Sequence, residues 1–169
     1  MPYQGKMPRI AASSYIAAGC SVIGDVSIAE ECGIWFNCVI RGDVESISIG
    51  AQTNIQDGTV IHVTRNGGPT IIGARVTVGH KCLLHACTIE DDAFIGMGAT
   101  LMDKVVVESG AMVAAGSLVT PGKRIKEGEI WAGNPAKFFR LLTKEEREYF
   151  AISINNYVKH AQEYLAGSL

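Results

Sequence analysis

Aliphatic residues recur at every sixth position along most of this chain. A first run holds Ile10, Ile16, Val22, Ile28, Ile34 and Ile40. Three additional residues precede Ile49, Ile55 and Ile61, and the longer interruption VTRNGGPT precedes Ile72, Val78 and Leu84. One residue is then missing, after which Ile89, Ile95, Leu101, Val107, Val113, Val119, Ile125 and Trp131 run unbroken. A six-residue period fits neither an amphipathic helix, whose apolar face returns after three or four residues, nor an isolated strand, which alternates at two. Two residues before each aliphatic stands a small or β-branched residue, for example Ser14, Cys32, Thr53, Val76, Ala93 and Ala111. This suits a short strand, a tight corner, and another short strand. Three such units close a triangular coil, and coils stack at the strand spacing of about 4.8 Å. The pattern predicts an all-β solenoid, a parallel β-helix of hexapeptide repeats with roughly seven coils.

The pattern changes towards the end. GNPAK (Gly133 to Lys137) breaks the repeat, and Thr143 with Glu146 makes an S/T-x-x-E capping box. Phe150, Ile154, Tyr157, Val158, Ala161 and Leu165 then recur at helical spacing. They predict an α-helix over about residues 143–166, laid along one face of the solenoid or across a neighbouring subunit. The chain reads as one domain in two parts, a β-helix over 1–141 and a helical segment over 142–169.

Composition narrows the functional classes. With 47% hydrophobic and 19% charged residues, the 169-residue chain is not intrinsically disordered. It contains no apolar run long enough to span a membrane, and MPYQGKMPRI lacks a secretory apolar stretch, so a cytoplasmic protein is expected. A net charge of -2 without a Lys/Arg run argues against nucleic-acid binding. The 19 glycines agree with many tight turns. All five cysteines fall at the small inward position, which makes them reduced core fillers rather than disulfides or metal ligands.

The repeat also places the histidines. With the faces counted from Ile10, Ile40, Ile61 and Leu84 share the third face in successive coils. Each is followed by an outward residue, Arg41, His62 and His85. His62 and His85 are thus one coil apart, about 5 Å between Cα atoms, and two imidazoles so placed can share a metal. His80 follows Val78 on the second face, one coil beyond Asp57. It stands five positions before His85, about 16 Å when extended, so it points away from the pair. A metal held by all three needs His80 from another chain, as in a homotrimer with one metal at each interface. Three His with an open fourth position is the pattern of a catalytic rather than a structural zinc. A single His on such a face is more often a plain surface residue, and His160, beside the apolar stripe of the terminal helix with no partner nearby, reads as structural or solvated. Asn54, Gln56 and Asp57 from TNIQD, and Arg41 with Asp43 from RGD, supply polar groups around the triad. Gln56 stands where an amide can orient a metal-held hydroxide. Arg41, Asp43 and Asp57 suit either a catalytic role or an ion-pair network that holds the trimer together.

These residues resemble those of the γ-class carbonic anhydrases. The likeness is carried by IWFNCVIRGD (Ile34 to Asp43), TNIQDGTVIH (Thr53 to His62), VGHKCLLH (Val78 to His85), IGMGA (Ile95 to Ala99) and AGNPAK (Ala132 to Lys137), in this order and register. The resemblance implies a left-handed β-helix and a trimer. It implies a divalent metal, zinc by default with cobalt or ferrous iron also suited to three imidazoles, bound by His62, His80 and His85, with His80 in trans. It implies reversible hydration of CO2 to bicarbonate by a metal-generated hydroxide. Arg41, Asp43, Asn54, Gln56 and Asp57 carry over as residues around the metal or at the interface. Two features depart from the family's best-known member. Val44 stands where a Glu follows RGD, with Glu45 one place later, and VTRNGGPT replaces a long acidic loop that carries the proton-shuttling Glu. Two other functions therefore stay open: a metal-binding scaffold or carrier, like relatives labelled ferripyochelin-binding, and an acyl-CoA-dependent hexapeptide transferase using a His base without metal.

Overall fold

A computed structural model describes residues 1–167; the last two residues of the segment 142–169 lie outside the described residues. The chain forms a β-solenoid of about seven turns with parallel sheets and a single C-terminal helix. The rungs follow the six-residue register. Ile10, Ile28, Ile49, Ile72, Ile89, Val107 and Ile125 pair in succession on the first face. Ile16, Ile34, Ile55, Val78, Ile95, Val113 and Trp131 do so on the second. Val22, Ile40, Ile61, Leu84, Leu101 and Val119 do so on the third. Most of these aliphatic side chains are fully buried, and each adds about 1.5–3 kcal/mol relative to exposure.

The corners explain the small residues. At most corners the residue before the inward small one adopts a left-handed conformation, whether glycine, as at Gly98, or another residue, as at Glu31, Asn37, Arg75, Lys81, Ala86 and Lys104. The chain reverses there, and the next side chain points into a narrow apex where only a small group fits. Four of the cysteines are buried at such apices as free thiols. Cys20, near the first coils, is only half-buried.

The insertion after Ile40 is absorbed by two long strands, Ser21–Ile28 and Val39–Ile49, which run from the third face round to the first and join those faces into one eleven-stranded sheet. Their register shifts between Gly24 and Val26, forming a bulge. A Cβ on Gly24 would collide with the Gly42 carbonyl, and one on Gly42 would come within 2.6 Å of the Asp25 carbonyl. Two bare glycines therefore let the bulged strands close, and the bulge presents Asp43.

GNPAK, which breaks the repeat, is the turn of an antiparallel hairpin, Glu129–Gly133 with Ala136–Leu141, that ends the second-face sheet. The helix spans Lys144–Leu165. Thr143 caps it as the sequence predicts: Glu146 N–H donates to Thr143 Oγ1 at 3.3 Å, and Thr143 N–H donates to the Glu146 carboxylate at 2.9 Å. The helix lies along the second face. Phe150 stacks on Phe94 with centroids 4.7 Å apart, and Trp35 meets Tyr157 and Tyr164 edge-on. The expected apolar stripe holds for Phe150, Ile154 and Ala161 but not for Leu165, which is exposed. Tyr164, seven residues beyond Tyr157, makes that last contact with the Trp35 cluster, and Leu165 falls to the side of it. Among the described residues, no helix is long and apolar enough to cross a membrane.

Candidate metal centre

Along the third-face edge the register sets His85 directly beside His62. Their rings lie 5.2 Å apart between centroids, with His62 Nδ1 3.3 Å from His85 Nε2. The outer nitrogens are held by carboxylates. His62 Nε2 is 3.0 Å from Asp43 Oδ1, and His85 Nδ1 is 2.6 Å from Asp103 Oδ1. Four side chains from successive coils, Asp43, His62, His85 and Asp103, thus form one hydrogen-bonded line. Arg41 donates to the other oxygen of Asp43, and the Thr70 hydroxyl donates to the His62 carbonyl at 2.6 Å. Burial alone would raise the Asp43 carboxyl. The hydrogen bonds from His62 and Arg41, with the Arg41 charge, outweigh it and hold the group below the usual carboxylate range.

His80 lies at the corner between the second and third faces, and its Nδ1 is 2.8 Å from Asp57 Oδ2. Gln56 and Asn54 are buried on the second face beneath the helix. Gln56 Nε2 donates to Asn54 Oδ1 at 3.1 Å, and Asn54 Nδ2 donates to Thr77 Oγ1 at 3.0 Å. This amide chain fixes the Gln56 head and leaves its Oε1 without a donor among the described residues. Gln56 also borders a recess of about 230 Å³ shared with Phe94, Met97, Met112 and Tyr157.

The structure therefore brings Arg41, Asp43, His62 and His85 together. It sets His80, Asp57, Gln56 and Asn54 in a second group at another corner. Among the described residues, no three His, Cys, Asp or Glu side chains of one chain converge on a metal position. The pair itself fits a metal. Carboxylates occupy the outer nitrogens, so the two facing nitrogens are the ones free to ligate, and their 3.3 Å separation matches the roughly 3.3 Å span of two Zn–N bonds of about 2.0–2.1 Å at a tetrahedral angle. A carboxylate behind each imidazole is the usual support of a metal-binding histidine.

Asp103 was not among the residues singled out by sequence. It stands two residues after Leu101, one coil beyond His85, and an acid one rung from an outward histidine was the available signal. Val44 packs against the core, which leaves no acid at its position, and no cation lies within ion-pair distance of Glu45 among the described residues. The segment after His62 closes on itself through a Thr64–Gly68 bridge and carries Arg65 at the surface.

A model of the bacterial transferase hexapeptide (six repeats) matches residues 86–121. The chain is 54% identical over 162 residues to a protein named Gamma carbonic anhydrase 2, mitochondrial, from Arabidopsis thaliana; the match covers 93% of this chain but only 58% of that protein's length. It is 45% identical to the carbonic anhydrase of Geobacillus kaustophilus over 98% of this chain and 90% of that one. A crystal structure of a hexapeptide transferase family protein from Anaplasma phagocytophilum superposes with a TM-score of 0.93 at 49% identity, covering 96% of each chain.

Proposed function

Because the chain belongs to the γ carbonic anhydrase-like family of hexapeptide-repeat proteins, we propose that it catalyses the reversible hydration of CO2 to bicarbonate and a proton, as a homotrimer with a divalent metal at each subunit interface. The observation that carries this reading is the His62–His85 pair, with facing nitrogens at ligand spacing and outer nitrogens bound by Asp43 and Asp103. His62 and His85 of one chain and His80 of the next would hold the metal. When bound, such an ion lowers the pKa of a coordinated water to about 7 and so supplies a nucleophile at neutral pH.

The chain's own residues do the remaining work. Asp43 and Asp103 fix the tautomers and ring planes of the pair, and Asp57 does the same for His80. Gln56, its amide nitrogen committed to Asn54, keeps its carbonyl oxygen available as an acceptor for the O–H of the attacking water. The recess beside Gln56, walled by Phe94, Met97 and Met112, offers an apolar resting place suited to uncharged CO2 rather than bicarbonate. Val60 and Leu83 are each 38% exposed and adjacent on the face that carries the pair, an apolar surface that a second copy would cover.

The test measures CO2 hydration by the metal-loaded protein and its His80→Ala variant, together with metal content and oligomeric mass. A trimer with about one divalent ion per chain and activity lost in the variant is expected. Equal hydration rates for both proteins reject catalysis at this centre. One observation favours a second reading, a metal-binding relative without turnover: Val44 faces the core, so no carboxylate follows Asp43 towards the pair. Full metal occupancy with no hydration would select it.

A further inference from the structure

Hydration of CO2 releases one proton per turnover, and sustained turnover needs a base that takes it up and passes it to buffer. The carboxylates nearest the three candidate ligands are all committed: Asp43 to Arg41 and His62, Asp103 to His85, and Asp57 to His80. The segment from Val63 to Thr70 holds no acid. The remaining imidazole, His160, lies exposed on the C-terminal helix. It borders a cleft of about 440 Å³ whose other walls include Asp57, Ser153, Asn156 and Tyr157. The cleft therefore runs from the carboxylate that supports His80 to a solvent-facing histidine, and it is wide enough to hold several waters.

Resting on the carbonic anhydrase reading, we propose that His160 is the proton acceptor that links the centre to bulk water through this cleft. The balance is CO2 + H2O → HCO3⁻ + H⁺. The proton leaves the attacking water along cleft waters and binds the lone-pair nitrogen of His160. The resulting imidazolium gives it to a buffer base and returns to the neutral ring. Asp57, Tyr149, Tyr157 and Tyr164 are the titratable groups that line the cleft with His160. Tyr157, whose ring centroid is 6.3 Å from that of His160, does not compete as acceptor. Burial, then the negative charge of Asp57, pushes its phenol above the ordinary tyrosine range, so it stays protonated and serves as a donor to cleft water.

The experiment compares wild type with His160→Ala and His160→Gln, each checked for unchanged melting and metal content. In dilute buffer kcat should fall by about tenfold or more in both variants while kcat/KM holds, and added imidazole should restore kcat. NMR supplies a readout independent of turnover. The titration midpoint of the His160 ring in the metal-free protein should coincide with the inflection of kcat against pH in the loaded wild type. If kcat is unchanged in the variants, falls together with kcat/KM, or is not restored by imidazole, His160 is not the acceptor; mismatched midpoints overturn the proposal equally. A wild-type protein that hydrates no CO2 removes the underlying reading and the proposal with it, a result separable from the others because it appears before any substitution.

Discussion

On the third face, His62 and His85 stand side by side with a carboxylate behind each ring, their side chains only 20% and 27% exposed. At the neighbouring corner, His80 has among the described residues one carboxylate partner and no second imidazole, and its side chain is 40% exposed. The same six-residue repeat built both places. The difference lies in what each chain can finish alone. A pair one rung apart on one face is brought to ligand spacing by strand stacking, whereas a residue round the corner is carried away from it by the same geometry. The pair is preorganised within the chain, and under the proposed trimer the lone histidine would gain its partners from another copy.

The pair and the lone histidine can be placed on different chains. His62→Ala and His80→Ala proteins should each lack the metal and the hydration activity. Unfolded together and refolded as a mixture, they should regain roughly a quarter of the wild-type sites, since each mixed cyclic trimer then contains one intact pair facing one intact His80. Metal content and hydration rate after mixing are the measurements. No recovery would mean that one chain supplies all three ligands.

A smaller effect should separate the two kinds of support. Asp103→Ala removes the carboxylate from a partly buried ring whose tautomer it fixes, and metal affinity should fall about 10–100-fold. Asp57→Ala acts on the more exposed corner, where water can replace the lost acceptor, and the loss should stay under about tenfold. Competition with a metal chelator measures both. Equal losses would show that His80 is as enclosed as the pair.

Much of this was legible in the sequence because it depends on period alone. The rungs, the inward cysteines, the adjacency of His62 with His85 and the separation of His80 all follow from counting in sixes. The capping box at Thr143 was equally plain, since both partners are local. What escaped depends on the third dimension. Asp103 belongs to a rung without a motif of its own; counting in sixes puts an acid one coil from His85, but their contact appears only in the stacked coils. The hairpin at GNPAK lies where the repeat fails and its register gives no guidance. His160 reads as structural or solvated because nothing in the helical spacing shows that its face overlooks Asp57 across a cleft.

The smallest effect tests whether the helix that roofs the His80 corner is independent of the pair. Thr143→Ala removes the cap and should cost about 1 kcal/mol of stability in denaturant unfolding, with the metal affinity of the refolded protein unchanged within about twofold. The pH dependence has a defined sign. Hydrogen bonds from Arg140, then from the Thr143 amide, bring the Glu146 carboxyl down to about 2. A folded value below the unfolded one, about 4.3, means that its contribution is full above the unfolded value and disappears as the pH falls through about 2. The stability difference between wild type and Glu146→Gln should therefore be constant near neutrality and shrink in acid. A difference that grows on acidification would reverse that assignment, and a coupled loss of metal affinity at neutral pH would show that the helix and the His62–His85 edge do not act independently.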